Sequence, residues 1–356
     1  MSSQMAPPVD IFDFVVNKGN GVKGLADSGI QSLPDHYILP PEERLDPTKI
    51  VTEDSIPIID VSDWNDPKVT ESICKAACKW GFFQIVNHGL TLEDLDKIKD
   101  AGHRFFGLPN QERAKYWKGK SPANTVSLST SFSPHAEAVL EWKDFLSFRY
   151  VSGDPEASAL WPPVCKFQVL EYMEKAKIVI KRLLEALLKG LNVKEIDQAR
   201  EYVLMGSPII NFNYYPRCPS PELAAGVGPH SDISTITVLL QDDNGGLYVR
   251  ETEGDCWIHV PPVNGALVVN IGDILQILSN DRYKSIEHRA VANGNKNRIS
   301  VPIFVNPAPD AVIGPLPEVL EDGEKPIYRE IVFSDYFKYF FSKGHEGKKT
   351  MDCARI

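Results

Sequence analysis

Apolar positions change their period along the chain, and the change separates a helical first part from a strand-rich second part. From Lys68 to Trp80 the residues Val69, Ile73, Ala76, Ala77 and Trp80 recur at the spacing of one helix face. Thr91 followed by Asp94 makes a capping pattern and opens a second predicted helix, with Leu95, Ile98, Phe105 and Phe106 on one side. The longest helical stretch runs from Gln168 to Leu191. Its apolar stripe, from Val169 through Met173, Ile180, Leu184 and Leu187 to Leu191, predicts a core face that supports a sheet. Between these helices, Ile56 to Val61 alternates like an edge strand entered through Pro57, and Gly81 to Gly89 reads as helix stop, strand and turn. Residues 108–135 are polar and rich in turn formers, which predicts an ordered loop leading to the functional site.

After Gly206 the period falls to two. Strands are predicted at residues 209–215, 235–241, 246–250, 256–260, 265–271, 283–289 and 298–305, with turns such as Asp243-Asn244-Gly245-Gly246 between them. Many short strands at this spacing imply an antiparallel jelly roll, whose mouth is a natural metal site. Ser334 to Phe341 reads as an aromatic helix packing across the barrel. The expected class is therefore α+β, a double-stranded β-helix (jelly-roll) core with an N-terminal helical region and a C-terminal helix. The expected division is 1–205 (mixed, helix-rich), 206–310 (jelly roll) and 311–356 (helical extension).

With 356 residues, 43% hydrophobic and 24% charged, the chain has ample material for a core. A net charge of -10 argues against a nucleic-acid partner, because a backbone binder carries a basic face. No apolar run approaches the roughly 18 residues of a membrane span. Met1 to Pro8 has neither a basic nor an apolar leader region, and Ala354-Arg355-Ile356 is not a peroxisomal signal, so the expected location is the cytoplasm. Six scattered cysteines predict reduced thiols, with Cys74 and Cys78, one helical turn apart, as small core residues. Gly19-Asn20-Gly21-Val22-Lys23-Gly24 matches a dinucleotide fingerprint, yet Leu33-Pro34 and Pro40-Pro41 follow where a long helix is required. We read it as a decoy.

Candidate chemistry centres on Gly228-Pro229-His230-Ser231-Asp232. On an extended strand alternate residues share a face, which would put His230 and Asp232 about 7 Å apart on one side. His288 can join them only through a folded sheet. Two imidazoles and one carboxylate form the facial triad suited to Fe(II), with open coordination positions. The same set would serve a zinc hydrolase with water in the remaining position, and a jelly roll can also be a non-catalytic binding protein. Arg298 and Ser300, on one face of a predicted strand, read as a clamp for the far carboxylate of a dicarboxylate, for which a zinc hydrolase has no use. Asn213 and Tyr215 lie upstream in Asn213-Tyr214-Tyr215-Pro216. His36, His88, His103, His135, His259 and His345 have no partner at metal spacing and are read as structural or surface residues.

The succession N-x-Y, H-x-D, H and R-x-S formed by these residues resembles the plant soluble 2-oxoglutarate- and Fe(II)-dependent dioxygenases. That resemblance implies catalytic iron on His230, Asp232 and His288. It also implies 2-oxoglutarate held by Arg298, Ser300, Tyr215 and Asn213, O2 as second cosubstrate, and stimulation by ascorbate. By alignment with the superfamily, Phe145, Ser147, Asn211, Phe304 and Asn306 face the substrate.

A narrower likeness runs nearly the whole length, through Phe14-Val15-Val16, Gly19 to Gly24, Thr130-Ser131-Phe132-Ser133-Pro134, Glu141-Trp142-Lys143-Asp144, Val301-Pro302-Ile303-Phe304, Gly314-Pro315-Leu316-Pro317-Glu318 and Gly347-Lys348-Lys349. These segments resemble the coumarin-forming branch: feruloyl-CoA ortho-hydroxylases, p-coumaroyl-CoA 2'-hydroxylases and scopoletin 8-hydroxylases. The branch implies hydroxylation of a hydroxycinnamoyl-CoA ortho to its side chain, leading to scopoletin or umbelliferone; the expected assembly is a monomer. A phenylpropanoid CoA thioester carries phosphates, for which Arg113, Lys115, Lys118 and Lys120 are candidates at the entrance. Two positions depart from the branch. Ser127 stands where an arginine is usual, and Arg149 where an apolar or aromatic residue is usual. A free coumarin or flavonoid acceptor, the alternative, would dispense with the cationic entrance.

Overall fold

The long helix expected after residue 168 is the spine of the first half: Pro163–Lys189 is one continuous helix, started by Pro163 in its first turn, where the missing N–H costs nothing. The computed structural model describes residues 10–51, 56–252, 254–320, 323–342 and 347–356. Met1 to Pro8, read for a leader, and His345 lie outside the described residues.

The helices are α1 (Gly21–Asp27), α2 (Pro67–Lys79), α3 (Leu92–Phe106), α4 (Asn110–Arg113), α5 (Pro163–Lys189), α6 (Gln198–Met205), α7 (Asp273–Leu278) and α8 (Phe333–Phe341). The first strands are β1 (Ile50–Val51), β2 (Ile58–Asp60), β3 (Phe82–Val86), β4 (Val126–Thr130) and β5 (Asp144–Arg149). Then come β6 (Ile209–Tyr215), β7 (Ala225–His230), β8 (Ile236–Gln241), β9 (Leu247–Arg250), β10 (Trp257–Val260), β11 (Leu267–Ile271), β12 (His288–Val291) and β13 (Arg298–Val305). The tail adds the pair β14 (Val312–Ile313) and β15 (Ile331–Val332).

An eight-stranded sheet in the order β2-β3-β11-β8-β13-β6-β5-β4 faces a five-stranded sheet in the order β1-β10-β9-β12-β7. Apart from β2 on β3 and β1 on β10, the pairings within them are antiparallel. Helices α2, α3 and α5 pack together against the outer face of the larger sheet, burying Ile73, Ile98, Phe105, Met173, Ile180 and Leu184. The capping box read at Thr91 is formed in both directions, at 3.0 and 3.2 Å.

Several expectations change. Residues 108–135 are not all loop: they contain α4 and β4, whose inward Val126, Leu128 and Thr130 alternate with Ser127 and Ser129. The alternation in β4 spans only five residues and sits among turn formers, so it does not stand out as a strand in the sequence. In β5 the cavity face carries Phe145 beside Ser147 and Arg149, and the buried face carries Asp144 beside Leu146 and Phe148, so the alternation is blurred. The strand expected through His230 and Asp232 instead runs from Ala225 and ends at His230; Gly226, Gly228 and Pro229 mask its earlier part in the sequence. The strand expected at 283–289 starts only at His288, and Asp273–Leu278 before it is a helix buried on all sides, so it shows no amphipathic period. Cys78 is exposed rather than in the core. The expected boundary at residue 205 follows the chain rather than the sheet, since β3 and β5 pair with β11 and β6 across it.

The glycine pattern near the start has a structural use. Gly21, at φ +70, opens α1 so that the Val22 and Lys23 amides each donate to the buried Asp144 carboxylate at 2.8 Å. A Cβ at Gly21 would lie 2.5 Å from Asp144 Oδ2. The anion that this turn cradles is an internal side chain.

Candidate active site

His230 ends β7 and His288 begins β12, and the two are direct cross-strand partners. Asp232 does not lie on the strand as expected; it sits in the bend just after β7. The bend carries the carboxylate to the same point, so that ligand atoms of all three side chains lie within 4.8 Å of one another. Asp232 Oδ1 is 3.6 Å from His230 Nε2 and 3.8 Å from His288 Nε2.

Neighbouring groups settle which atoms face inward. His230 Nδ1 lies 2.8 Å from the Gly228 carbonyl and His288 Nδ1 lies 3.3 Å from the Ile286 carbonyl. A carbonyl only accepts, so each Nδ1 carries the proton and each Nε2 of a neutral ring turns a lone pair to the cluster. Burial and the adjoining His230 push the His288 imidazole down to about 4. Burial alone would raise the Asp232 carboxyl, but His288, His230 and the Thr237 hydroxyl outweigh it and hold the group below the usual carboxylate range. The Thr237 hydroxyl donates to Asp232 Oδ2 at 2.7 Å and the Asn270 amide donates to the same oxygen. Thr237 and Asn270 are cross-strand partners on β8 and β11. Two imidazole nitrogens and one oriented carboxylate oxygen are a donor set that fits Fe(II).

A cavity of about 820 Å³ opens over this cluster. Arg298, 2% exposed, lines it with its Nε donating to the Gly245 carbonyl at 2.5 Å. Its Nη1 is buried without a hydrogen-bond partner. Ser300 follows on the same face, and Tyr215 and Asn213 are the register partners of Arg298 and Ser300 across β6 and β13. An unpaired buried guanidinium N–H beside a hydroxyl suits a carboxylate, because leaving that donor unmet costs about 1–3 kcal/mol or more. The residues therefore fit a dicarboxylate cosubstrate.

The five residues expected to face the substrate also line the cavity: Phe145 and Ser147 on β5, Asn211 on β6, Phe304 on β13, and Asn306 just beyond it. Asn211 Oδ1 and Asn306 Oδ1 are buried with no hydrogen-bond partner. The four cations proposed for the entrance divide. Lys118 and Lys120 are exposed on the cavity rim. Arg113 is buried, 4.0 Å from Asp27, and Lys115 pairs with Glu112 at 2.6 Å, so neither faces the cavity. Ser127 pairs in register with Ser147, and Arg149, two residues further along β5, shares its cavity-lining face.

Thr237, Asn270 and the Gly245 carbonyl escaped the sequence reading, as did Lys143, a buried cation lining the cavity and paired with Glu141 at 3.1 Å. Glu141 Oε1 accepts the Gly228 amide at 2.8 Å, which ties that pair to the loop bearing His230. No local motif marks these residues, because each is defined by a partner on another strand.

Comparison with known proteins decides the family. Residues 206–307 match the 2OG-Fe(II) oxygenase superfamily, and residues 56–164 match the N-terminal region of non-haem dioxygenases in morphine synthesis. A feruloyl CoA ortho-hydroxylase of Ipomoea batatas is 62% identical over 98% of this chain and 97% of its own. The chain belongs to the 2OG-Fe(II) oxygenase superfamily. It is an Fe(II)- and 2-oxoglutarate-dependent dioxygenase with a jelly-roll core. Feruloyl CoA ortho-hydroxylase 1 of Arabidopsis thaliana is 56% identical to this dioxygenase over 100% of this chain and 99% of that protein. A bi-functional coumaroyl CoA and feruloyl CoA ortho-hydroxylase of Ruta graveolens is 56% identical over 98% and 95%. The crystal structure of JOX2 in complex with 2OG, Fe and JA is 34% identical, with a TM-score of 0.83 over 94% of this chain and 97% of that one.

Proposed function

We propose that this dioxygenase hydroxylates the ring of a hydroxycinnamoyl-CoA, feruloyl-CoA or p-coumaroyl-CoA, ortho to its side chain. The observation that carries the reading is likeness at 56–62% identity over nearly the full length to enzymes named for that reaction. In this reading His230, Asp232 and His288 hold Fe(II), and Arg298, Ser300, Tyr215 and Asn213 hold 2-oxoglutarate. Phe145, Ser147, Asn211, Phe304 and Asn306 face the acyl group. Iron, 2-oxoglutarate and O2 together supply the oxidising chemistry, giving the phenol, succinate and CO2.

The chain's own task is positioning. Thr237 and Asn270 occupy one oxygen of Asp232 so that the other faces the two imidazoles. The spare N–H of Arg298 meets the far carboxylate of the cosubstrate. Phe304 offers a ring face to the aryl group, and Asn211 and Asn306 offer carbonyl oxygens to its hydroxyl. Phe337, Phe340 and Phe341 of α8 add an aromatic wall to the cavity. After side-chain isomerisation the new ortho hydroxyl attacks the thioester carbonyl. An O–C bond forms, the C–S bond breaks, and CoA leaves as the thiol with the phenolic proton, yielding scopoletin or umbelliferone.

We also infer a cytoplasmic monomer whose turnover ascorbate stimulates. Six cysteines without a disulfide suit a reducing compartment. No helix among the described residues is long and apolar enough to cross a membrane.

The test loads the protein anaerobically with Fe(II) and 2-oxoglutarate, then admits O2 with feruloyl-CoA, p-coumaroyl-CoA, ferulate or scopoletin. Scopoletin or umbelliferone from the thioesters alone is expected. Turnover of only the free phenolics would overturn the acceptor, and full activity of His230→Ala or Asp232→Ala would overturn the iron site.

A further inference from the structure

Strand β5 runs as a ladder across the cavity. Phe145, Ser147 and Arg149 lie on one face, opposite Asn213, Asn211 and Ile209 of β6. Asn213 in turn pairs with Ser300, at the end where the cosubstrate binds. Arg149 therefore stands about 13 Å further along the strand, toward the opposite end. It is exposed and still lines the cavity, which places it on the rim.

The segment after α4 brings two more cations to that rim. Trp117 bridges to Leu128 of β4, the Lys118 amide donates to the Leu128 carbonyl at 2.8 Å, and the Lys120 amide donates to Trp117 at 2.8 Å. These bonds fix Lys118 and Lys120 beside β4, the strand that pairs with β5. The Arg149 amide closes the group by donating to the Thr125 carbonyl at 2.8 Å. Among the described residues, none of these three side chains makes an ion pair or hydrogen bond, whereas Arg113 and Lys115 nearby each face an acid.

We propose that Lys118, Lys120 and Arg149 form the subsite that receives the phosphate groups of the CoA moiety, a subsite built on the cavity rim. The proposal rests on the thioester reading above and assigns the far end of the same substrate. Three cations on the rim of a protein with a net charge of -10 create a local positive field on that side of the cavity mouth, where an anionic tail would be attracted. The neutral pantetheine arm would span from the acyl pocket to that rim. Arg149 is central to the arrangement because Ser127 is its diagonal neighbour on the adjoining strand. Diagonal positions lie about 7–8 Å apart, within the reach of a long side chain, so an arginine at either position can serve the same phosphate.

The test compares two substrates: feruloyl-CoA and the feruloyl thioester of N-acetylcysteamine, which keeps the reacting end and lacks every phosphate. In K118E/K120E/R149E the preference for the CoA thioester in kcat/KM should fall by roughly tenfold or more, since each exposed pair contributes at most a few-fold. Wild-type kcat/KM for feruloyl-CoA, but not for the short thioester, should decline with added salt. In Arg149→Phe the preference should fall, and Ser127→Arg added to it should restore it. An unchanged preference in the triple variant, or equal losses on both thioesters, would overturn the subsite while leaving the reaction intact. Failure of the wild type to turn over either thioester would overturn both the subsite and the acceptor on which it depends.

Discussion

Arg298 and Tyr215 are cross-strand partners, and the guanidinium carbon of Arg298 lies 4.8 Å from the centre of the Tyr215 ring. The ring and the Gly245 carbonyl hold the arginine plane, so that its unpaired Nη1 is fixed before any ligand arrives. Arg298→Lys keeps the charge but loses the planar fork and the ring stacking. The expected result is an increase of about tenfold or more in the 2-oxoglutarate concentration needed for half-maximal rate, with kcat for the aryl substrate far less affected. A 2-oxoglutarate titration of activity measures it.

Thr237 and Asn270 act through Asp232. Thr237→Val removes the hydroxyl that donates to Oδ2 and leaves Asn270 as the remaining donor. Apparent Fe(II) affinity should fall by about tenfold or more, the range found when a partner of a metal ligand is removed. Fe(II) titration of the apoprotein tests this, and at saturating iron most of the activity should return.

Asn306 predicts a split between stability and activity. Its Oδ1 is buried and unpartnered, a cost of about 1–3 kcal/mol that a bound substrate would relieve. Asn306→Leu should hold or raise the melting temperature while lowering kcat/KM for the thioester. Calorimetry and steady-state kinetics on the same preparation read both.

Glu137 predicts a pH effect on stability. Burial first, and then the Glu141 carboxylate, push its carboxyl up to about 7 from a reference of 4.5. Because the folded protein holds this proton more tightly than the unfolded chain, the stabilisation is present below about pH 4.5 and is lost as pH rises toward 7. In Glu137→Gln that loss should disappear. Melting temperatures of the two proteins should converge at low pH, with the variant higher above pH 7.

The residues of the candidate site could be named from local spacing: His230 with Asp232, Arg298 with Ser300, and Asn213 with Tyr215. Long amphipathic helices were equally legible, since α5 and α3 expose one face to water and bury the other. Strands β4 and β5 and helix α7 were not legible. The alternation of β4 is short and lies among turn formers, the faces of β5 mix Asp144 with Leu146 and Phe145 with Ser147, and a helix buried all round loses the contrast on which periodicity depends.

The sequence by itself thus determined the chemical types available and their family. Only the tertiary structure decided that Asp232 leaves the strand, that Thr237 and Asn270 aim it, and that Lys118, Lys120 and Arg149 share one rim while Arg113 turns inward. The physical reason is that a hydrogen bond or a shared field depends on distance in space. Strand register brings together residues such as Thr237 and Asn270, whose separation along the chain carries no sign of their contact.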